Sequence, residues 1–197
     1  MLKRITLFAI IGIFVAAQAM ASITNEVKKS VDEVVRIVSN KEMKKNEHKR
    51  RQALKQAISG IFDYSEMAKR TLGKHWNQRT PAEKKQFTDL FATLLENSYA
   101  DKIESYHNEK IVYLSESLDG NYSEVRSNII TAKHDEFSLN YKLINENGTW
   151  MVYDVVIEGV SLVSNYRSQF NKIISQHGYG ELLKKLETKK EDLRSQL

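Results

Sequence analysis

The residue types that usually carry catalysis are present in this chain, but they are not grouped. No cysteine occurs, and the five histidines show no metal-ligand spacing. Residues 159–163 begin like a nucleophile elbow but lack its closing glycine. No phosphate loop or dinucleotide fingerprint is present. The sequence therefore predicts no metal site, no cofactor and no activated nucleophile. The histidines are His48, His75, His107, His134 and His177.

Asp154 is the one candidate for acid–base chemistry. It is the single charge in residues 150–157, an otherwise apolar run rich in β-branched and aromatic side chains. A buried carboxylate could act as a general base, as in cavity enzymes built on a curved sheet. It could equally be held by hydrogen bonds or by a cation, for which Arg167 on the next helix is the nearest candidate. We expect Asp154, and Tyr166 on that helix, to be structural rather than catalytic.

The run around Asp154 predicts a strand that is covered on both faces, because a strand with one wet face would alternate apolar and polar residues. One interpretation is a central strand in an ordinary core. The other is a strand with one face lining a cavity for an apolar ligand. The sequence pattern does not choose between them.

The N-terminus predicts a secretory signal peptide over residues 1–21. Lys3 and Arg4 precede an apolar run at residues 5–17, and Ala19-Met20-Ala21 fits the small-x-small pattern for cleavage after Ala21. The run is short for a membrane span, although a retained anchor is the alternative. A secreted chain without disulfides must be held by its core, which favours the periplasm. Residues 22–197 are expected to form a single domain, with an N-terminal helical part and a C-terminal sheet-plus-helix part.

Periodicity predicts helices first, then strands, then helices. Valines at helical spacing mark a first helix, and a second runs through a basic stretch to about Ile58. Asp63 and Thr80 each precede a glutamate three residues on, the signature of a capping box. Those valines are Val27, Val31, Val34, Val35 and Val38.

The second half of the chain predicts an antiparallel meander, with strands at residues 110–115, 122–132, 137–143 and 150–157. Helix returns at Ser161, and a last charged helix begins at Glu181. The fold class is therefore α+β, with a twisted sheet of four to five mostly antiparallel strands packed with helices.

A basic stretch lies in the second predicted helix and gives the chain much of its formal charge of +5. Its functional interpretation is docking to an acidic partner or an anionic membrane surface. The alternative is a solvated helix face. Nucleic acid is not an expected partner in the periplasm. The docking candidates are Lys44, Lys45, Lys49, Arg50 and Arg51.

Two segments resemble a known family. The first is Phe62-Asp63-Tyr64-Ser65-Glu66-Met67-Ala68, followed by Leu72-Gly73, Trp76, Phe87 and Phe91; the second is residues 150–170. Together they resemble the toluene-tolerance or MlaC family.

The resemblance implies a soluble periplasmic phospholipid carrier that maintains outer-membrane lipid asymmetry. Its partners would be an outer-membrane lipoprotein complex and an inner-membrane ATP-driven (ABC) lipid transporter, with bound phospholipid as cargo and no cofactor. The resemblance also implies that a twisted sheet and helices enclose a pocket for acyl tails.

The pocket residues are predicted from the periodicity of the aromatic helix and of the inner sheet face. The same residues would be ordinary core if no cavity existed. An apolar groove would also suit a chaperone for lipoproteins or outer-membrane proteins, the second hypothesis, and an enzyme using Asp154 is the third. The predicted lining is Phe87, Phe91, Leu94, Phe137, Leu139, Tyr141, Val152 and Val156.

Overall fold

The structure is a computed structural model that describes the backbone of residues 11–194 and the side chains of residues 23–191. The predicted signal peptide, residues 1–21, lies outside the residues whose side chains are described, so its cleavage stays a prediction. Within the described part of the chain, no helix combines the length and apolar character needed to cross a membrane.

Three helices open the described chain: α1 (Ile11–Ser39), α2 (Lys41–Lys44) and α3 (Glu47–Ser59). The sequence predicted a single helix where α2 and α3 stand. The break arises because two asparagines cap new helices. The side chain of Asn40 accepts from the backbone N–H groups of Glu42 and Met43, and that of Asn46 accepts from the N–H of Lys49.

The next segment contains α4 (Tyr64–Leu72), a 3-10 helix (Gly73–Gln78) and α5 (Pro81–Glu104). The predicted capping box at Thr80 is confirmed, with both reciprocal hydrogen bonds to Glu83 present.

The predicted box at Asp63 is only half formed. The Asp63 carboxylate accepts from the Glu66 N–H at 2.8 Å. The Asp63 N–H instead donates to the carbonyl oxygen of Val152 at 2.9 Å. Glu66 therefore turns to Lys69 and Arg70, each at 2.8 Å.

Five strands form one antiparallel sheet whose spatial order is the chain order: β1 (Lys110–Asp119), β2 (Tyr122–Ile130), β3 (Glu136–Glu146), β4 (Thr149–Ile157) and β5 (Val160–Ser161). The chain then ends in α6 (Leu162–His177) and α7 (Tyr179–Arg194). The predicted α+β class and the antiparallel sheet of four to five strands are confirmed.

A register shift in β4 changes which of its side chains share a face. Lys142 pairs with Asp154 but Leu143 pairs with Val152, so Tyr153 has no residue opposite it. Such a bulge adds one residue to the strand and breaks its strict alternation. Val152 and Val155, three residues apart, consequently reach the same side of the sheet.

Two large apolar cores hold these elements together, and a third, smaller cluster joins α1 to α3. One lies among α4, α5, α6 and α7 and includes Met67, Phe87, Phe91, Phe170 and Leu182. The other lies between α1 and the sheet and includes Ile23, Val27, Val125, Leu143 and Val152. The space between α1, the end of α5 and the sheet is left open, and it is the candidate site.

Candidate functional site

A cavity of about 600 Å³ lies between the sheet, α1, α3 and the C-terminal half of α5. Its volume falls within the range of roughly 300–1,000 Å³ typical of small-molecule sites. Its wall is almost wholly aliphatic and aromatic. The sheet contributes Ile111, Ile129, Phe137, Leu139, Tyr141, Val152, Val155 and Ile157, and α5 contributes Leu95, Tyr99 and Ile103.

Helix α1 forms one side of the cavity through its valine stripe. All five valines that mark this helix in the sequence line the cavity. Val27 and Val38 are fully buried, whereas Val31, Val34 and Val35 are half-buried although they face inward. The cavity explains the partial exposure, because these side chains border space that no protein atom fills. The spacing of the valines marks a helix in the sequence, but it does not indicate that they line a pocket.

We infer from the exposed lining residue Phe137 that the cavity opens where the start of β1, the end of β2 and the start of β3 meet. Cross-strand pairing brings Ile111, Ile129 and Phe137 into one row at this end of the sheet. Phe137 is 44% exposed. Two charged lining residues, Lys102 and Glu109, lie nearby in sequence, at the end of α5 and just before β1. A polar and partly apolar rim therefore surrounds an apolar interior.

The remaining charge among the described lining residues is Glu96, which is paired with Lys55 at 3.0 Å. Burial, and secondarily the carboxylate of Glu96, raises the pKa of the Tyr64 hydroxyl. Burial likewise raises the pKa of the Tyr141 hydroxyl, with a smaller contribution from Tyr113. An ordinary tyrosine is already neutral at physiological pH, and burial moves the ionisation of these two phenols still further above that range.

Four of the eight residues predicted to line a pocket are in this wall: Phe137, Leu139, Tyr141 and Val152. Val156 is buried but lies outside the lining, and Val155 takes its place. The bulge at Tyr153 is the physical reason, because it shifts the alternation of β4 by one residue. Whether the lining residues bind a ligand stays a prediction.

The other three predicted residues, Phe87, Phe91 and Leu94, lie in the helical core instead. The Phe87 and Phe91 rings stack at 6.0 Å, and Phe170 meets both edge-on at 5.7 and 5.8 Å. The N-terminal half of α5 packs against α6 and α7, so its apolar face is used before the helix reaches the cavity. The apolar face of α5 therefore packs in the helical core along its N-terminal half and lines the cavity along its C-terminal half.

Asp154 is held by hydrogen bonds at the start of α6. Its carboxylate accepts from the Ser161 hydroxyl at 2.6 Å and from the Val163 N–H at 3.0 Å. The prediction that Arg167 pairs with Asp154 is wrong, because the Nε of Arg167 donates to the carbonyl oxygen of Arg70 at 2.6 Å. The carboxylate instead satisfies a free N–H at a helix N-terminus, where the helix dipole favours negative charge. Asp154 does not belong to the cavity lining.

The five docking candidates divide into two groups. Arg50 is bound to Glu104, and their side chains are only 15% and 12% exposed. Arg51 pairs with Glu47 at 2.9 Å and also contacts Asp101 and Glu104. The three lysines, Lys44, Lys45 and Lys49, are exposed. Lys45 forms an ion pair with Glu42 at 2.9 Å. Among the described residues, Lys44 and Lys49 form no ion pair.

In the described part of the chain, no group of three or more histidine and acidic side chains is placed to hold a metal ion. Fold and cavity together define a small α+β protein that encloses an apolar cavity between an antiparallel sheet and its helices. Residues 28–188 match the family model described as MlaC protein. The chain therefore belongs to the MlaC family.

The curated proteins that are similar to this chain include the following two. The intermembrane phospholipid transport system binding protein MlaC of Haemophilus influenzae is 30% identical over 123 residues, 60% of this chain and 58% of that protein. The toluene tolerance protein ttg2D of Pseudomonas putida is 24% identical over 143 residues, 71% of this chain and 66% of that protein. The matches thus span less than two thirds of either relative.

A solved structure shares the fold more completely. The phospholipid-binding protein from Ralstonia solanacearum, determined in complex with a phospholipid, superposes with a TM-score of 0.77 at 28% sequence identity. The match covers 85% of this chain and 96% of that protein.

Proposed function

We propose that this protein is a non-enzymatic periplasmic carrier of phospholipid, which encloses acyl chains in its cavity while they cross the aqueous space between two membranes. The observation that carries the proposal is the apolar cavity of about 600 Å³ bordered by the α1 valines and the inner sheet face. Membership of the MlaC family and the phospholipid bound to the Ralstonia solanacearum protein support it.

The energetics of transfer explain why such a cavity is useful. The tails of a diacyl lipid contain roughly 30 methylenes, each worth about 0.8 kcal/mol when removed from water. Unassisted transit would thus cost on the order of 20 kcal/mol. A sheath that keeps the tails dry removes most of this barrier without any covalent chemistry.

The cavity volume sets how much lipid the present shape can hold. At about 30 Å³ per heavy atom, the share that one water molecule takes of the liquid volume, 600 Å³ accommodates roughly 20 heavy atoms. That is the size of one acyl chain. A second chain would require α1 and the sheet to move apart, or it would lie along the opening beside Phe137.

The carrier would exchange lipid with an outer-membrane lipoprotein complex and an inner-membrane ATP-driven transporter. We assign the docking contribution of the basic stretch to its exposed lysines, Lys44, Lys45 and Lys49. Arg50 and Arg51 are already engaged by carboxylates of the chain itself. Exposed charges of this kind mainly speed the encounter between partners, and their effect weakens with salt.

The test is to purify the protein from the periplasm, extract it with organic solvent and identify the extract by mass spectrometry. We expect about one phospholipid per protein. In Leu139→Glu a carboxylate enters the cavity wall, so lipid should be lost while the circular-dichroism spectrum stays that of a folded protein. The matched control is Leu114→Glu, because Leu114 is 58% exposed on β1 and does not line the cavity.

Other outcomes would contradict the proposal. Bound peptide in place of lipid would indicate a chaperone. Chemically altered lipid that appears only when Asp154 is intact would indicate an enzyme. Stoichiometric lipid in Leu139→Glu would show that the cavity is not where lipid binds.

A further inference from the structure

A second concave site includes Tyr122, which lies at the opposite end of β2 from Ile129 of the cavity lining. This basic cleft, of about 780 Å³, is formed by α4, the 3-10 helix, the middle of α6 and the start of β2. Its principal side chains are Lys69, Arg70, Lys74, Arg167, Trp76 and Tyr122. Of the described residues, none lines both the cleft and the cavity.

Strand register separates the two sites. Tyr122 pairs with Ile144, in the cross-strand row beside the β1–β2 and β3–β4 hairpins. The cavity opening lies at the row of Ile129 and Phe137, at the other end of the same strands. A molecule seated in the cleft would therefore leave the cavity opening free.

The cleft has a strong excess of positive charge. Four cationic side chains and one carboxylate, Glu66, contribute to its lining. That carboxylate is already bound by Lys69 and Arg70, each at 2.8 Å. Lys74 and Arg167 are exposed and form no ion pair among the described residues. An anionic ligand would supply the charge that the fold does not.

Two arginines are fixed in place before any ligand binds. The Arg70 guanidinium lies 4.0 Å from the centre of the Tyr153 ring, and its Nε donates to Glu66. Arg167 Nε donates to the Arg70 carbonyl oxygen at 2.6 Å. Gly73 adopts φ +53°, a conformation that favours glycine, and so turns the chain from α4 into the helix that carries Lys74 and Trp76. Ordered cations lose less entropy on binding than free ones.

We propose that the basic cleft binds an acidic segment of a partner protein. Carboxylate side chains would meet the arginines and lysines, for which planar guanidinium groups are well matched. The side chains of Asn77 and Asn171 add amide donors and acceptors suited to a peptide backbone, and Trp76 and Tyr122 add apolar contact area. A flat membrane surface fits a concave site less well than a peptide does. This inference does not depend on what the cavity holds.

The test uses the full-length protein and Trp76 as the reporter. The chain has two tryptophans, so Trp150→Phe leaves Trp76 as the sole tryptophan fluorophore. A hexaglutamate peptide is titrated against it, with hexaglutamine as the uncharged probe. We expect saturable changes in Trp76 emission with hexaglutamate alone, weakening as NaCl is raised.

Paired variants locate the binding site. Lys69→Gln with Lys74→Gln removes two exposed cleft charges and should weaken hexaglutamate binding about tenfold, at roughly threefold for each surface charge. Lys184→Gln with Lys189→Gln removes the same charge from exposed positions of α7 that do not line the cleft, and it should leave the affinity unchanged. Circular dichroism checks that both remain folded, and lipid-loaded and lipid-extracted samples should behave alike.

Three results would overturn the proposal. One is equal affinity for hexaglutamate and hexaglutamine. Another is equal weakening in both double variants, which would indicate diffuse charge rather than a site. The third combines two observations: the parent protein does not bind hexaglutamate, and the cleft variant loses the binding to vesicles of phosphatidylglycerol and phosphatidylcholine that the parent shows. This result would assign the cleft to a membrane surface.

Discussion

Filling the cavity from α1 should stabilise the protein and displace its lipid at the same time. Val31 and Val34 both line the cavity and are half-buried. The double substitution Val31→Phe/Val34→Phe adds about eight carbon atoms to a space that holds roughly 20 heavy atoms. Valine and phenylalanine have similar helix propensities, so the helix itself is little affected.

The two effects have different magnitudes. Cavity-filling substitutions commonly add about 0.5–2 kcal/mol to the free energy of unfolding. For a chain of this length, 1 kcal/mol corresponds to roughly 2–4 °C in Tm. Lipid binding would lose burial of up to about eight methylenes, about 6 kcal/mol at 0.8 kcal/mol each. The lipid-free protein should therefore melt several degrees higher, while lipid occupancy falls far below one per protein.

The assay combines thermal denaturation of delipidated protein with a lipid-to-protein ratio from mass spectrometry. Val125→Phe is the matched control, because Val125 is fully buried and does not line the cavity. Overpacking at Val125 should cost about 1–3 kcal/mol. If the α1 variant is destabilised as much as Val125→Phe and retains its lipid, the space beside α1 is ordinary core and the cavity assignment fails.

Three further predictions test other parts of the structure. Asp154→Asn keeps the shape of the side chain but weakens its hydrogen bonds to Ser161 and Val163, so the free energy of unfolding measured with urea should fall by about 1–3 kcal/mol. Lipid should remain bound and chemically intact, and loss of lipid from the folded fraction would contradict this. Lys44→Glu with Lys49→Glu should slow lipid delivery to membrane-complex partners at low salt without emptying the cavity, and an unchanged delivery rate would remove these lysines from docking. The pKa of Tyr141 is raised by burial, so above about pH 10 the unfolded chain ionises first and the folded state loses up to about 1.4 kcal/mol per pH unit. Tyr141→Phe has no phenol at this position and therefore lacks this loss. In urea denaturation, the free energy of unfolding of Tyr141→Phe relative to that of the parent should be higher at pH 11 than at pH 9.

Features with a local physical cause could be predicted from the sequence. The capping box at Thr80 needs only residues three apart, and the hairpin turns need only their turn residues. The order of helices and strands follows from the two periodicities of apolar residues. The inward face of β3, with Phe137, Leu139 and Tyr141, follows from strict alternation in a strand that has no bulge on that face.

The tertiary structure decided how these elements meet. The bulge at Tyr153 depends on pairing between β3 and β4, and it exchanged Val156 for Val155 in the cavity wall. Arg50 became a partly buried partner of Glu104, 54 residues away, because α3 packs near the end of α5. The N-terminal half of α5 packs against α6 and α7, so Phe87 and Phe91 lie in the core, whereas its C-terminal half lines the cavity. Sequence periodicity specifies which face of an element is apolar, but only packing determines whether protein or ligand covers it.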